Sequence, residues 1–325
     1  MKIRRYVAAL GFTVLWAVLA VGQPGAQPYP NKPVHVVVPF TPGSATDILA
    51  RTFGQKLSEL WGQSVFVENR PGAGGTIGAA FVAKAPADGY TLLVNSAAHA
   101  YNASIYVNLP FDTAKDFVEI VPLAGQPNVL VVAPSAGIKS VAELIALAKQ
   151  KPGQLNFGSA GTGSGTHINA EKFKLAAGID VVHIPYKGTP EALTDTMAGR
   201  VTYFFSPISA ALANVRDGKL LALGVSTAKR SSALPNVPTI AESGLPGFDY
   251  NLWVGLFAPA GTPPDIVDKI NKDVARLLQS AEVKERFANL GADPMPMTPA
   301  DFKKFVRSEI EESGKVIKAA GIKAQ

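Results

Sequence analysis

Apolar runs bounded by proline or glycine alternate with amphipathic stretches along most of the chain. Residues 33–39 (PVHVVVP) are rich in valine and predict a buried strand. In residues 44–61, Leu49, Phe53 and Leu57 recur on one face, which predicts a helix. The same patterns predict further strands at residues 64–68, 90–95, 128–133, 155–158, 181–185, 201–205, 220–226 and 252–257. They predict further helices at residues 76–84, 140–150, 166–177, 190–198 and 208–216, and after the Thr-Pro pairs at 262–263 and 298–299.

Strand and helix patterns in alternation predict an α/β fold, a parallel sheet with helices on both faces. Proline and glycine near residues 125–127 and 245–247 predict two chain crossings. The C-terminal helices have too few strands beside them for a third sheet, so we expect them to return to the first domain. The expected architecture is two lobes, residues 27–126 with 247–325 and residues 127–246, around a cleft that closes by a hinge. No internal repeat is evident in the sequence.

Local signals set two of the helix boundaries. Ser140 and Glu143 form a capping box at the start of the helix at 140–150. Thr189 is the expected cap of the helix at 190–198, because Pro190 then occupies its first position.

The N-terminus has the pattern of a secretory signal peptide. Lys2, Arg4 and Arg5 precede the apolar residues 6–21, and small residues follow as far as Ala26. The alternative is a membrane anchor, but the apolar run is shorter than the roughly 20 residues of a membrane span. We therefore expect residues 1–26 to be removed on export to the periplasm.

Composition narrows the classes of function. Lys and Arg number 31 against 25 Asp and Glu, a net charge of +6. Three of those cations belong to the signal peptide, and no block of like charges follows, so a nucleic-acid partner is not expected. The chain has no cysteine, and its four histidines (His35, His99, His167 and His183) lack metal-ligand spacing. No metal site is expected.

The segment after the first predicted strand is the first candidate site. It opens a helix, and the unpaired N–H groups of a helix N-terminus favour an anion. The alternative is an ordinary turn in which Ser44 caps the helix and Asp47 stabilises its first turn. The candidate residues are Phe40, Thr41, Gly43, Ser44, Ala45, Thr46 and Asp47.

A second candidate site follows the strand at residues 155–158 and also opens a helix. Its glycines alternate with hydroxyl residues, which is typical of a backbone anion site. It lacks the lysine of a P-loop and the glycine spacing of a nucleophile elbow. The alternative is a flexible loop. The candidate residues are Ser159, Ala160, Gly161, Thr162, Gly163, Ser164, Thr166 and His167.

Other strand ends offer weaker candidates. Ser96 and Tyr186 could line the cleft, although Tyr186 could equally be a core residue. Trp253 favours a core position. The glycines of residues 72–78 differ in spacing from a dinucleotide fingerprint, so we assign them to a tight turn and close helix packing.

Several motifs resemble the Bug family, the periplasmic substrate-binding proteins of tripartite tricarboxylate transporters. They include NRPGAGG at residues 69–75, ADGYTLL at 87–93 and GSAGTGSGTH at 158–167. The resemblance implies a two-lobed periplasmic-binding-protein fold of type II, no catalysis and no cofactor. It also implies that residues 40–47 and 159–167 bind a small carboxylate from opposite lobes, often with ordered waters. The ligand is then expected to pass to integral-membrane transporter subunits.

The chain departs from the family pattern at three places. Ser44–Ala45 and residues 95–98 stand where glycines are usual, and Thr202-Tyr203 stands where an acidic residue is common. Ser206, in the same segment, is included among the expected ligand contacts. We expect a monomer. The alternatives are an ABC-type amino-acid binding protein and a secreted Ser/His hydrolase.

Overall fold

The structure is a computed structural model that describes residues 29–322. The predicted signal peptide, residues 1–26, lies outside the described residues. Within residues 29–322, no helix has both the length and the hydrophobicity that crossing a membrane requires.

Ten strands and ten α-helices form the described part of the chain. The strands are β1 (Val34–Val38), β2 (Val65–Asn69), β3 (Thr91–Ser96), β4 (Phe117–Val132), β5 (Asn156–Ser159), β6 (Val182–Pro185), β7 (Tyr203–Pro207), β8 (Leu221–Val225), β9 (Asn251–Pro259) and β10 (Asp293–Pro294). The helices are α1 (Ala45–Trp61), α2 (Thr76–Ala83), α3 (Ala98–Ile105), α4 (Val141–Gln150), α5 (Gly165–Ala177), α6 (Thr189–Met197), α7 (Ile208–Arg216), α8 (Pro264–Gln279), α9 (Ala281–Leu290) and α10 (Pro299–Ala319).

One long strand joins the two lobes. The sheet has the order β2-β1-β3-β9-β4-β7-β5-β6. Residues 117–127 of β4 pair antiparallel with β9 in the first lobe. Residues 128–132 pair with β7 and β8 in the second. The two-lobed α/β fold is therefore confirmed, whereas the division into residues 27–126 with 247–325 and 127–246 stays a prediction.

The same strand pattern occurs in both lobes, although the sequence shows no repeat. In the first lobe, β1 is parallel to β2 and β3, and β3 is antiparallel to β9. In the second, β5 is parallel to β6 and β7, and β7 is antiparallel to β4. Strand β1 of one lobe thus corresponds to β5 of the other, and the loops that follow these two strands occupy equivalent positions.

Several elements differ from the sequence predictions. The first half of β4 was not predicted, because Pro122, Gly125 and Pro127 resemble chain breaks. The register against β9 shifts on either side of Pro122, whereas Gly125 and Pro127 pair in register with Trp253 and Asn251. Helices α3 and α9 and the short β10 were also not predicted. The prediction that Thr189 caps α6 is wrong: Gly188 is the N-cap, without a side-chain hydrogen bond, and Thr189 is the first helical residue.

The C-terminal helix α10 packs against α3, β4 and β9, and the assignment of residues 247–325 to the first lobe stays a prediction. Phe302 of α10 packs against Trp253 and Phe257 of β9, with ring centroids 5.8 and 5.2 Å apart. Trp253 is only 1% exposed, so it is a core residue. Its indole nitrogen donates to Glu309 of α10 at 2.9 Å.

Candidate ligand-binding site

The loop between β1 and α1 is built around two capping interactions. Ser44 is the N-cap residue of α1, and its hydroxyl accepts a hydrogen bond from the backbone N–H of Asp47 at 3.3 Å. In return, Asp47 Oδ2 accepts from the N–H of Gly43 at 2.9 Å. Asp47 Oδ1 is held by Asn69 at 2.8 Å and Arg51 at 2.9 Å. These bonds fit the capping interpretation of Ser44 and direct the Asp47 carboxylate into the loop.

The loop between β5 and α5 repeats this geometry. Ser164 caps α5, accepts from the N–H of His167 at 3.3 Å, and has the same backbone angles as Ser44, φ −67° and ψ 158°. His167 Nδ1 accepts from the N–H of Gly163 at 3.2 Å. Gly43 and Gly163 share a φ of 83°, in the left-handed region that favours glycine. His167 therefore takes the place that Asp47 has in the first loop.

A cavity lies between these two loops, and its twelve lining residues are all uncharged. It is narrow, with a volume of about 20 Å³. Among the predicted site residues, those that line it are Phe40, Ser44, Ala45, Thr46, Ser96, Ala160, Ser164 and Thr166. The lining residues that were not predicted as contacts are Gly165, Thr189, Pro207 and Leu252.

The two helices direct backbone donors towards the cavity. The first N–H groups of an α-helix have no partner within the helix. In α1 these belong to Ala45 and Thr46, and in α5 to Gly165 and Thr166, all of which line the cavity. The positive ends of two helix dipoles therefore meet at one small space. This arrangement is suited to an anion held without a lysine or arginine.

Predicted residues that do not line the cavity fall into two groups. One group makes hydrogen bonds within its own segment: Gly43, Asp47, Ser159, Gly163 and His167 in the two loops, and the fully buried Ser206 of β7, whose hydroxyl donates to the Pro207 carbonyl at 3.2 Å. The other lies at the edge of the cleft: Thr41, Gly161, Thr162 and Tyr186.

Contacts between the lobes close the cleft at its edge. The Thr41 hydroxyl of the first lobe donates to Glu191 Oε2 of the second at 3.0 Å. The Tyr106 hydroxyl donates to the Thr162 carbonyl at 2.9 Å. A Cβ atom on Gly74 would lie only 2.0 Å from the Thr162 carbonyl oxygen. A glycine of the segment 72–78 thus permits close approach of the lobes, a role beyond the predicted tight turn.

The buried Ser159 and His167 and the half-buried His183 form a cluster beneath the second loop. Ser159 Oγ lies 2.6 Å from His183 Nε2 and accepts from the N–H of Gly161 at 3.0 Å. The rings of His167 and His183 stack with their centroids 4.0 Å apart. Burial lowers the pKa of His167 to about 3 and that of His183 to about 4. Both histidines are therefore neutral at pH 7.

The four unpredicted lining residues come from four separate segments. Thr189 begins α6, Pro207 ends β7, and Leu252 lies in β9. Only Gly165 belongs to a loop that the sequence singled out. Across residues 29–322, no group of three His, Asp or Glu side chains is placed to hold a metal ion.

Comparison with known proteins assigns the family. The family described as "Tripartite tricarboxylate transporter family receptor" matches residues 49–322. Protein BugT of Bordetella pertussis is 37% identical over 325 residues, 99% of each chain. Two solved structures are also similar. Rpa4515 of R. palustris with adipate has a TM-score of 0.89 and 40% identity, over 91% of this chain and 100% of that one. MatC from Rhodopseudomonas palustris with bound malate has a TM-score of 0.84 and 34% identity, over 89% and 100%.

The Bug-family resemblance seen in the sequence motifs is therefore confirmed, and the chain belongs to the tripartite tricarboxylate transporter receptor family.

Proposed function

We propose that the chain is an exported solute-binding protein that captures a small carboxylate between its two lobes. It delivers this ligand to the integral-membrane subunits of a tripartite tricarboxylate-type transporter. It acts in the periplasm as a monomer, after removal of its signal peptide, and uses neither cofactor nor metal.

The observation that carries the proposal is the pair of equivalent helix N-termini at one uncharged cavity. Their free N–H groups supply hydrogen-bond donors and partial positive charge from both lobes, which is what a carboxylate requires. The adipate and malate in the two solved relatives support the same ligand class. An ABC-type amino-acid binder with an arginine clamp fits less well, because no arginine or lysine lines the cavity.

We propose no catalysis at the Ser159–His183 pair. Ser159 is fully buried, and its hydroxyl already accepts the Gly161 N–H. A nucleophile must be able to contact its substrate, so an ester has no route to this oxygen in the closed form. The pair instead supports the loop that precedes α5.

The first experiment is a thermal-shift screen of the refolded secreted chain against dicarboxylates, citrate and aromatic acids, each beside its amide. A ligand at about 1,000 times its Kd adds roughly 4 kcal/mol to the free energy of unfolding. We expect a shift with an acid and none with its amide. A refolded chain that responds to no acid contradicts the proposal.

Small-angle scattering tests the closure step. Because the lobes touch around the cavity, a ligand reaches it only when they separate. Ligand contacts made only in the closed form then favour closure. We expect the radius of gyration to fall when a ligand found in the screen is added. An unchanged radius of gyration contradicts the hinge mechanism. It does not bear on the ligand class, which only the thermal-shift screen tests.

A further inference from the structure

A second cavity lies beside residues 249–251, next to the start of β9. Its volume is about 220 Å³, and it shares no lining residue with the cavity between α1 and α5. The residues that line it belong to α3, α5, α10 and residues 249–251, and we call it the α5–α10 cavity. We propose that the α5–α10 cavity is a second ligand site and that it binds a primary alkylammonium compound.

The charges that line the α5–α10 cavity are mainly negative. Asp249, Glu309 and Glu312 line it, whereas Lys172 is its one cationic lining residue. The Lys172 ammonium is already engaged, because it donates to the Asp249 carbonyl and lies 5.7 Å from the centre of the Phe248 ring. The cavity therefore has acidic groups that its own lysine does not neutralise.

The three acidic side chains differ in their partners. Asp249 and Glu312 are exposed; the first accepts from a backbone N–H at 3.0 Å, and the second pairs with Lys315. Glu309 is half-buried, and its Oε2 accepts from the Trp253 indole at 2.9 Å. Within residues 29–322, Glu309 forms no ion pair. Its second oxygen is thus the acceptor that a bound cation would complete.

The titration of Glu309 agrees with this geometry. Burial raises the pKa of its carboxyl, and the negative charge of Glu312 raises it further. The hydrogen bond from Trp253 and the charge of Lys172 act in the opposite direction but do not outweigh burial. A ligand cation beside this carboxylate would favour its charged form, which the protein alone leaves under-stabilised.

Hydroxyl oxygens add acceptors to the same cavity. The Tyr101 hydroxyl donates to that of Tyr250 at 3.3 Å, and Tyr250 donates to the Gly165 carbonyl at 2.8 Å. The Ser313 hydroxyl donates to the Ile310 carbonyl at 3.0 Å. All three protons are therefore in use, and the Tyr101 and Ser313 oxygens keep lone pairs for a ligand. An ammonium group, which carries three N–H donors, suits this wall.

The size and the apolar part of the cavity indicate an organic cation rather than a bare ion. Ile168, Val316 and the Tyr101 ring line it beside the acidic groups. A single water needs only about 10–15 Å³ in the same measure, so the cavity has room for an alkyl chain. In the part of the chain that the structure describes, no three His, Asp or Glu side chains are grouped to hold a metal ion.

Binding in this cavity should be linked to carboxylate capture, and this step rests on the proposed function. Helix α5 lines both cavities, with Gly165 and Thr166 in one and Ile168 and Lys172 in the other. It packs on β7 of the second lobe, whereas α10 packs against α3. A ligand that contacts both α5 and α10 in the closed form favours that form, and therefore raises the affinity for the carboxylate.

Calorimetric titration of the secreted chain with n-butylammonium chloride tests the site, with 1-butanol as the neutral counterpart and sodium chloride as the salt control. We expect butylammonium to bind and the other two to give no signal. Glu309→Gln keeps an oxygen for the Trp253 indole and should raise the Kd about tenfold or more. Glu311→Gln removes the same charge at an exposed position of α10 that does not line the cavity, and should keep the parent Kd.

Three results overturn the site: no binding of butylammonium, equal binding of 1-butanol, or a parent Kd in a folded Glu309→Gln variant. The link to capture is tested with an acid found by the thermal-shift screen. We expect saturating butylammonium to lower the Kd of that acid about fivefold or more in the parent chain, but not in Glu309→Gln. An unchanged Kd overturns the link. A chain that binds butylammonium but no acid contradicts the proposed function and leaves the second site standing.

Discussion

The backbone N–H of Ala45 can be deleted without breaking α1. Ala45 is the first residue of that helix, so its N–H has no intrahelical partner to lose. Proline is favoured at this position, and Ser44, at φ −67° and ψ 158°, already has the extended conformation that a residue before proline adopts. Ala45→Pro therefore removes one donor from the cavity and leaves the helix capped.

The expected loss of affinity follows from the charge on the ligand. A hydrogen bond to a charged group contributes about 1.5–3 kcal/mol. Its loss should raise the Kd of a carboxylate by about 10- to 150-fold. The proline ring adds to this effect, because its Cδ atom replaces the hydrogen that points towards the ligand. The measurement is calorimetric titration with an acid identified by the screen.

The chain offers a matched control at a second helix start. Ala281 is the exposed first residue of α9, and its N-cap Ser280 has φ −66° and ψ 145°, close to the angles of Ser44. Ala281→Pro makes the same chemical change away from the cleft and should leave the Kd unchanged. If Ala45→Pro folds and also keeps the parent Kd, the α1 terminus does not hold the carboxylate and the reasoning is refuted.

Three further substitutions test contacts around the cleft. Tyr250→Phe removes the hydroxyl that donates to the Gly165 carbonyl at 2.8 Å. Urea unfolding should show that the free energy of unfolding falls by about 1 kcal/mol, and an unchanged value would show that the bond does not stabilise the fold. Burial lowers the pKa of His183 to about 4. Between pH 6.5 and 4 the unfolded chain therefore binds a proton at this histidine that the folded chain does not, and the free energy of unfolding falls as the pH falls. His183→Gln should therefore lose less stability than the parent between pH 7 and 4.5, and equal losses would contradict this. Thr41→Val removes the bond to Glu191 between the lobes, so the ligand-free chain should show a larger radius of gyration in scattering; an unchanged radius argues that other contacts hold the lobes.

Patterns within short stretches of sequence predicted the parts of the site that neighbouring residues in the chain build. The valine run before Phe40 and the cap expected at Ser44 identified the first strand–loop–helix unit, and the glycines that alternate with hydroxyl residues after residue 158 identified the second. Seven of the eight predicted residues that line the cavity belong to those units, and the eighth, Ser96, ends β3. The capping role of Asp47 was foreseen as an alternative to ligand contact for the same reason.

The rest of the site depends on contacts between distant segments. Thr189, Pro207 and Leu252 belong to α6, β7 and β9, and only the sheet order brings them to one cavity. The first half of β4 was missed because its prolines and glycine outweigh local strand propensity, yet pairing with β9 over residues 117–127 overrides them. The equivalence of Asp47 and His167 could not be predicted from their residue types. Each places a hydrogen-bond acceptor beside the backbone N–H of the glycine four positions earlier, and only the structure shows that the two acceptors occupy the same place.

One hydroxyl links the two segments of the chain that pass between the lobes. Ser226 Oγ accepts from the N–H of Asn128 at 2.9 Å and donates to the carbonyl of Tyr250 at 2.7 Å. The backbone of Ser226 bonds the same two residues, each at 2.8 Å. Asn128 and Tyr250 lie on different crossings, so these four hydrogen bonds oppose sliding of one crossing against the other. We therefore expect closure to be a rotation of the lobes about the linked crossings rather than a translation of one lobe along the other.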